Sequence, residues 1–380
     1  MDWKMVIGGE FLDASDGGVL ENINPYTGEL IGTVPSATKE DVDRAIENAV
    51  IGQKQWAALR QDEREAILNR FLALYQEHAE EIAQMLCKEG GKTISECRGE
   101  VSSVPLIFRA YMNASAMLNG ETLPHNVERR NTSDVLMTVY EPLGVCVCVG
   151  PFNYPISTMT NKVAPALCAG NSVIMKPASD TPMSILIYAK LLLEAGMPAN
   201  VAQVIAGSGS KIGRWITENP KVAAISLTGS TAVGVELHKA ASEHLQRVLF
   251  ELGGNDPLIV FEDCDLEKAV DEAIGGGIYN SGQICSASKR FIIQNSIRQK
   301  FAERLGQKLS QLEYGAPTDP EMTSSCCMIN RRAAETVEAQ IKKVISAGAK
   351  CLCGGRRDGS VVEPTVLIDV TPDMDIAKSE

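Results

Sequence analysis

The chain has 380 residues, which is too long for one ordinary domain and comfortable for two. Its apolar (44%) and charged (22%) fractions are typical of a globular protein, and its formal charge of −12 argues against general nucleic-acid binding. No apolar run approaches the ~18 residues of a membrane helix, and the N-terminal residues lack a secretory signal. The odd count of eleven cysteines favours reduced thiols, so we expect a cytoplasmic protein with neither nucleic-acid nor membrane partners.

The first third of the chain is predicted to be mainly helical. Within residues 38–56, apolar residues recur at a spacing of three and four, namely Val42, Ala45, Ile46, Ala49 and Val50. Thr38, followed three positions later by Asp41, can cap the start of this helix. Further helical patterns cover residues 62–90 and about 97–119, and each ends near glycine.

Residues 122–141 have a different pattern from the helical segment before them. Two extended stretches, 122–127 and 134–141, are joined by a polar link. Such a pair of stretches predicts a β-hairpin.

From residue 145 onward, short apolar runs alternate with helical patterns such as residues 182–195. The predicted strands are VCVCV (145–149), SVIM (172–175), VAQVI (201–205), AAISL (223–227) and LIVF (258–261). Continuous apolar runs of this length suit strands that are buried on both faces of a parallel sheet. The alternation with helices therefore predicts a doubly wound α/β fold.

Two glycine-containing segments, 207–213 and 228–234, each follow a predicted strand and open a helix. Glycine allows a backbone to approach a pyrophosphate closely, and the start of a helix offers amide donors. Neither segment has the strict G-x-G-x-x-G pattern, so taken alone they fit a tight strand-to-helix turn at least as well.

Six short motifs occur in a fixed order along the chain. They are PFNYP (151–155), NKVAPAL (161–167), MKPASDTP (175–182), LTGST (227–231), ELGG (251–254) and GQICS (282–286). This series resembles the aldehyde dehydrogenase superfamily, and the resemblance extends from about residue 10 to the last residue. It implies an NAD(P)-dependent oxidoreductase.

The resemblance also implies a domain organisation. Residues 1–121 and 142–252 correspond to a doubly wound cofactor-binding domain, and residues 122–141 to a hairpin arm used in oligomerisation. Residues 253–380 correspond to a second α/β domain, which carries the nucleophile. An intact protein of this kind is expected to form a homodimer or homotetramer.

Four residues match the family's catalytic positions. Cys285 corresponds to the nucleophile, Glu251 to the general base and Asn153 to the side-chain donor of the oxyanion hole, while Lys162 matches a lysine nearby. A cysteine thiolate adds to an aldehyde, a thioester forms with loss of hydride, and a base-activated water then releases the acid. This chemistry requires no metal, and the scattered cysteines and four histidines show no zinc-site spacing.

The remaining matches concern the dinucleotide. Lys176 corresponds to a lysine that binds the adenosine ribose, and Glu380 to a glutamate that holds the nicotinamide ribose. Ser230 lies where the family holds the pyrophosphate, and the glycines assigned to the cofactor turns are Gly209, Gly229 and Gly234.

Ser179 bears on the choice of cofactor, because relatives specific for NAD carry a glutamate at that place. A serine removes the repulsion of a 2′-phosphate, which favours NADP or dual use of NADP and NAD. The alternative is that Ser179 only caps the helix near Pro182.

The residues that follow PFNYP indicate the class of substrate. Residues 156–161 are small or polar rather than bulky and aromatic, which favours a small polar or anionic aldehyde such as a hydroxyaldehyde, a semialdehyde or a phosphorylated triose. Ile284 and Ser286 flank Cys285 in place of the arginine and threonine of some relatives that use phosphorylated substrates, so that option is less favoured.

The chain ends at Glu380, whereas relatives continue beyond this point. A catalytic domain without its last elements would leave sheet edges open. This leaves a second hypothesis, a catalytically incompetent protein that keeps the fold as a binding or structural unit. A third is a CoA-acylating relative, which the retained Glu251 disfavours.

Overall fold

The computed structural model describes residues 3–123 and 135–378. The strands are β1 Met5–Ile7, β2 Glu10–Leu12, β3 Val19–Ile23, β4 Leu30–Pro35, β5 Thr122–Leu123, β6 Leu136–Met137, β7 Val145–Val149, β8 Ser172–Lys176, β9 Ala202–Val204, β10 Val222–Thr228, β11 Arg247–Glu251, β12 Asp256–Val260, β13 Ser288–Ile293, β14 Lys350–Cys353, β15 Arg357–Asp358, β16 Val361–Val362 and β17 Val366–Ile368. The α-helices are α1 Lys39–Ala57, α2 Gln61–Glu77, α3 Ala79–Gly90, α4 Ile94–Ser115, α5 Pro155–Cys168, α6 Met183–Glu194, α7 Gly209–Thr217, α8 Thr231–Ala241, α9 Leu266–Ile278, α10 Arg298–Ser310, α11 Arg331–Ser346 and α12 Asp375–Lys378.

A seven-stranded sheet forms the centre of the molecule, in the order β11-β10-β7-β8-β9-β1-β2. Strands β7 to β11 are parallel to their neighbours, and β1 joins β9 in the antiparallel sense. The chain runs outward from β7 to β8 and β9, then returns to place β10 on the other side of β7. This reversal creates a crevice at the carboxyl ends of β7 and β10, where open α/β sheets bind ligands.

Helices cover both faces of this sheet, as the predicted doubly wound fold requires. On one face α2 to α6 enclose a core that includes Phe71, Phe108 and Tyr188. On the other face α1, α7 and α8 pack over a second core that includes Ile46, Ile174 and Ile225. All five residues of β8 are buried, which explains its continuous apolar sequence.

Helix α1 forms as its sequence predicts. Thr38 and Asp41 make a reciprocal capping box, in which each side chain accepts from the backbone amide of the other residue. Of the predicted apolar face, Val42, Ala45, Ile46 and Ala49 are buried against the sheet, and Val50 is half-buried. The pattern over residues 62–90 divides into α2 and α3 at His78, and α3 ends at Gly91 in the left-handed conformation.

The prediction of a mainly helical first third omits four strands, β1 to β4. Strands β1 and β2 extend the large sheet, and β3 pairs with β4 in a separate antiparallel ribbon. These strands contain three to six residues each, too few for the alternation of apolar and polar residues to stand out. The five strands predicted after residue 145 are confirmed as β7, β8, β9, β10 and β12.

Strands β5 and β6 pair antiparallel within the predicted hairpin, with Thr122 opposite Met137 and Leu123 opposite Leu136. Residues 124–134 lie outside the described part of the chain. Both strands are exposed. The role of this segment in oligomerisation stays a prediction.

The segment that begins at β12 forms a separate layer. Strand β12 pairs in parallel with β13, and α9 and α10 bury a small core of their own that includes Val260, Val270, Phe301 and Leu305. The last strand of the large sheet in chain order ends at Glu251, and the division into two domains at residue 253 stays a prediction.

Candidate active site

The predicted catalytic side chains come from several elements near the carboxyl edge of the large sheet. Asn153 lies in the turn between β7 and α5, and Glu251 is the last residue of β11. Cys285 is exposed and lies in the loop between the 3-10 turn Tyr279–Gly282 and β13. Cys285, the predicted nucleophile, therefore lies in the second layer, whereas Asn153 and Glu251 belong to the large sheet or to the turn that follows one of its strands.

Asn153 is tied directly to the loop that carries Cys285. Its side-chain Nδ2 donates to the backbone carbonyl of Gln283 at 2.8 Å, and its Oδ1 accepts from the amide of Tyr154. A side-chain amide has two N–H donors, so one remains for a ligand oxygen. The Gln283 side chain is held in turn by Cys327 and Ile329.

The segment that follows Glu251 touches the nucleophile's backbone. A Cβ on Gly254 would lie 2.4 Å from the carbonyl oxygen of Cys285, so only glycine allows this approach. The carbonyl of Glu251 accepts from the amide of Gly229 at 3.1 Å. The ELGG motif is therefore the place where the large sheet meets the cysteine loop.

Lys162 lies on α5 and is largely buried beneath the same edge. Its Nζ donates to the hydroxyl of Ser226 on β10 at 3.3 Å. Burial lowers the pKa of Lys162, while the charges of Cys148 and Glu251 act in the opposite direction. No hydrogen bond joins Lys162 to Asn153 among the described residues, so its place is on the Glu251 side of the site.

Lys176 ends β8 and is buried without a hydrogen-bond or ion-pair partner for its Nζ among the described residues. Burial lowers the pKa of Lys176 to about 8, and Asp180 opposes this shift. A Cβ on Gly209, the first residue of α7, would lie 3.7 Å from Nζ. A buried ammonium without a partner beside a helix N-terminus fits an anionic ligand such as the ribose phosphate of a dinucleotide.

The other residues of the predicted cofactor site have structural contacts as well. Ser230 caps α8 by accepting from the amide of Val233, and Gly229 lies one residue before it. Gly234 packs so closely on the ELGG segment that a Cβ would lie 2.8 Å from Leu252 Cδ2. The amide of Gly229 is taken by Glu251, so Gly229 and Gly234 serve the packing of the site at least as directly as they serve phosphate.

The alternative hypothesis, that Ser179 only caps the helix near Pro182, is wrong. The hydroxyl of Ser179 donates to the carbonyl of Gly207 at 3.1 Å, which joins the loop after β8 to the loop after β9. The residue before α6 is Pro182, which offers no side-chain cap. Glu380 lies outside the described residues.

Within the described part of the chain, no group of three or more histidine, cysteine, aspartate or glutamate residues is arranged to hold a metal ion. In the same residues, no helix has the length and apolar character needed to cross a membrane.

The sequence analysis missed three charged residues that lie beneath the site, Lys92, Glu96 and Glu100. All three are buried, and they contact the turn of Asn153 or the loop of Cys285. The Thr93-x-x-Glu96 capping pattern was visible in the sequence, but it indicates only a helix start.

A model of the aldehyde dehydrogenase family matches residues 11–380, nearly the whole chain. The chain belongs to the aldehyde dehydrogenase family. It is an NAD(P)-dependent oxidoreductase of aldehydes, with the α/β fold that the motifs predicted.

Two curated relatives are semialdehyde dehydrogenases. The NADP(+)-dependent succinate-semialdehyde dehydrogenase of Escherichia coli K12 is 36% identical over 381 residues, which is 99% of this chain and 78% of the relative. The glutarate-semialdehyde dehydrogenase of Pseudomonas putida is 37% identical over 376 residues, or 98% of this chain and 77% of the relative.

Solved structures of family members superpose closely on this chain. A succinate-semialdehyde dehydrogenase from Burkholderia pseudomallei has a TM-score of 0.95 at 36% identity. The superposition covers 100% of this chain and 78% of the Burkholderia chain. A betaine aldehyde dehydrogenase from Staphylococcus aureus, solved with NAD+, has a TM-score of 0.96 at 30% identity, covering 100% of this chain and 77% of its own.

Proposed function

We propose that this aldehyde dehydrogenase oxidises a small polar aldehyde, of the ω-semialdehyde class, to the carboxylic acid through a thioester on Cys285. The observation that carries the proposal is the hydrogen bond from Asn153 to the Gln283 carbonyl, two residues before Cys285. It joins the Asn153 amide to the loop that carries the exposed Cys285, which supports a role for both in the same reaction.

The chain's own residues would act in sequence. The Cys285 thiolate adds to the aldehyde carbon, and the resulting alkoxide accepts hydrogen bonds from the free N–H of Asn153 and the backbone amide of Cys285. One such donor is typically worth about 3–4 kcal/mol to the transition state. When bound, the nicotinamide cofactor accepts the hydride that leaves the aldehyde carbon. A thioester remains on Cys285.

Release of the acid needs a base near the thioester. Glu251 takes a proton from water, the resulting hydroxide attacks the thioester carbon, and the thiolate leaves as the acid forms. The contact of Gly254 with the Cys285 carbonyl supports this assignment, because it holds the segment after Glu251 against the nucleophile. Transfer of the acyl group to CoA is the second outcome to test.

NADP is the favoured cofactor, with NAD accepted. The buried, unpartnered ammonium of Lys176 and the small neutral side chain of Ser179 leave room for a 2′-phosphate. The Escherichia coli relative, which is NADP(+)-dependent by name, supports this preference. The semialdehyde class is supported by the two curated relatives and by the polar side chains of Ser157, Thr158 and Asn161.

The deciding experiment follows reduced-cofactor absorbance with succinate semialdehyde, lactaldehyde or hexanal and either cofactor. We expect succinate semialdehyde with NADP to give the highest kcat/KM, and Cys285→Ala to abolish turnover. Cys264→Ala, which removes a half-buried cysteine away from the site, is the matched control. Faster turnover of hexanal, a strong preference for NAD, or an active Cys285→Ala protein would each contradict the corresponding part of the proposal.

A further inference from the structure

A group of buried charges lies on α4 and just before it, directly beneath the candidate active site. Glu96 and Glu100 are one helical turn apart on α4, so their side chains share one face. Lys92, which precedes the helix, is fully buried and paired with Glu100. Charges are seldom buried so completely unless they are paired and hydrogen-bonded, so their partners define their role.

The two carboxylate oxygens of Glu96 connect the start of α4 with the loop that leads to Cys285. Oε2 accepts from the amide and the hydroxyl of Thr93 and so caps α4. Oε1 accepts from the backbone amide of Asn280 at 2.6 Å. Asn280 lies in the loop that leads to Cys285, and it has a left-handed backbone with φ of 47°. The carboxylate thus holds a strained turn five residues before the nucleophile.

Glu100 makes the corresponding connection to the oxyanion side. Its Oε1 accepts from the amides of Ile156 and Ser157 at 2.8 and 3.0 Å, in the first turn of α5. Helix α5 has no side-chain cap of its own, so Glu100 supplies one from another helix. The turn that contains Asn153 immediately precedes this anchored helix start.

Lys92 completes the connection. Its Nζ donates to the Asn153 carbonyl at 3.0 Å and lies 4.2 Å from the centre of the Tyr154 ring. The same Asn153 carbonyl also accepts from Asn280 Nδ2 at 3.3 Å. Burial acts to lower the pKa of Lys92, but the charge and hydrogen bond of Glu100 together with the neighbouring Cys97 and Glu96 outweigh it, and the pKa is raised. Lys92 is therefore cationic and is fixed against the Asn153 turn, whose carbonyl the Cys285 loop also contacts through Asn280.

We propose that Glu96 and Glu100 are positioning residues that hold the Cys285 loop and the Asn153 turn in register on α4. The inference rests on the proposed roles of Cys285 and Asn153. Neither carboxylate touches the substrate in this arrangement. Their effect is on the distance between the nucleophile and the oxyanion donor, to which rates are steeply sensitive.

The sharpest test is Glu96→Asp. Asp41 shows in this same chain that aspartate can complete a threonine capping box, so the cap of α4 is retained. The shorter side chain cannot also reach the amide of Asn280. We expect kcat to fall on the order of 10²-fold with cofactor KM little changed, while Tm falls no more than it does in Glu89→Asp. Rates with deuterated aldehyde should show that hydride loss has become the slow step.

Hydrogen exchange gives a readout that needs neither cofactor nor aldehyde. Peptides that cover residues 279–285 should exchange faster in Glu96→Asp, while peptides of α1 and α2 keep the parent rate. This measurement separates failure of the inference from failure of the proposed function. An active Cys285→Ala protein would remove the proposed function but leave the exchange result standing.

The matched control is Glu89→Asp. Glu89 is another buried glutamate, and it caps α6 without touching the Asn153 turn or the Cys285 loop. It should lose stability but keep the parent kcat. Equal losses of kcat in both variants would overturn the proposal, as would parent kcat and exchange rates in Glu96→Asp.

If Glu96→Asp fails to fold, Asn280→Gly tests whether the contact between the Cys285 loop and the Asn153 turn affects kcat. Glycine adopts the left-handed backbone readily and keeps the hydrogen bond from the backbone amide to Glu96. It removes the side-chain Nδ2 that donates to the Asn153 carbonyl. We expect kcat to fall about tenfold, which corresponds to ~1.4 kcal/mol. Parent kcat in this variant would show that the hydrogen bond from the Asn280 side chain to the Asn153 carbonyl has no part in catalysis.

Discussion

The candidate active site has two halves, the turn that contains Asn153 and the loop that contains Cys285. The strands next to these two segments are buried to very different extents. In β8, which lies beside the strand that leads to Asn153, all five residues are buried between two helical layers. In β12, which pairs with the strand that follows the Cys285 loop, only Val260 is buried, and Ile259 is 57% exposed. Apolar packing therefore fixes the strands beneath Asn153, whereas the Cys285 loop, which follows less buried strands, is tied to α4 by the hydrogen bond from the Asn280 amide to Glu96.

The clearest way to break this comparison is to remove the same side chain from both halves. Ile174 of β8 is fully buried, so Ile174→Ala should lower the free energy of unfolding by about 2–5 kcal/mol. Ile259→Ala in β12 should change it by no more than about 0.5 kcal/mol, because the side chain is already largely in water. Urea unfolding followed by circular dichroism measures both. Similar losses would mean that the second layer is packed as tightly as the first.

Glu89 and Glu100 sharpen the comparison, because both cap a helix start from a neighbouring helix. Glu100 has Lys92 as a partner, whereas burial raises the pKa of Glu89 to about 7, against the opposing bonds from Ser184. A carboxyl whose folded pKa is raised contributes stability that is fully present below its unfolded pKa of 4.5 and is lost as pH rises through about 7.

We therefore expect Glu89→Gln to gain stability relative to the parent as pH rises between about 4.5 and 7. The relative gain should total on the order of 1–3 kcal/mol. Glutamine does not titrate, so any fixed cost of the substitution is the same at every pH. Urea midpoints of the two proteins at pH 5, 6, 7 and 8 measure the effect. A difference that does not change with pH would rule out the raised pKa.

The smallest expected effect concerns Lys176, the last residue of the buried strand β8. Because burial lowers its pKa to about 8, the ammonium loses its proton as pH rises through that value. Binding of a 2′-phosphate favours the charged form, so the KM for NADP should rise by up to about tenfold between pH 7 and 9, more than the KM for NAD. Lys176→Arg, which stays charged, should abolish this dependence. Parallel pH profiles for both cofactors in the parent would contradict the assignment.

Much of the fold was predictable because its signals are local. The capping box of α1, its buried face and the short apolar strands of the large sheet depend on neighbouring residues. Strands β1 to β4 were missed because so few residues carry each of them. Helix α6 was predicted from its apolar pattern, but its cap was not, because Glu89 comes from another helix.

The candidate site likewise has features that depend on neighbouring residues and features that depend on distant ones. Short motifs were enough to nominate Cys285, Glu251, Asn153 and Lys176, because each motif resembles one that carries a known role in the aldehyde dehydrogenase family. The nearness of Asn153 to the cysteine loop, across 130 positions, depends on the order of strands in the sheet.

The sequence by itself determined the family and the doubly wound sheet, and it nominated Cys285 as the nucleophile, because these inferences follow from short patterns of residue type. Only the tertiary structure decided that Lys92, Glu96 and Glu100 are buried beneath the site. A glutamate in a helix sequence is ordinarily a solvated surface charge. It becomes a positioning group when the amides that it satisfies are brought from distant parts of the chain, and burial then leaves it no water with which to replace them.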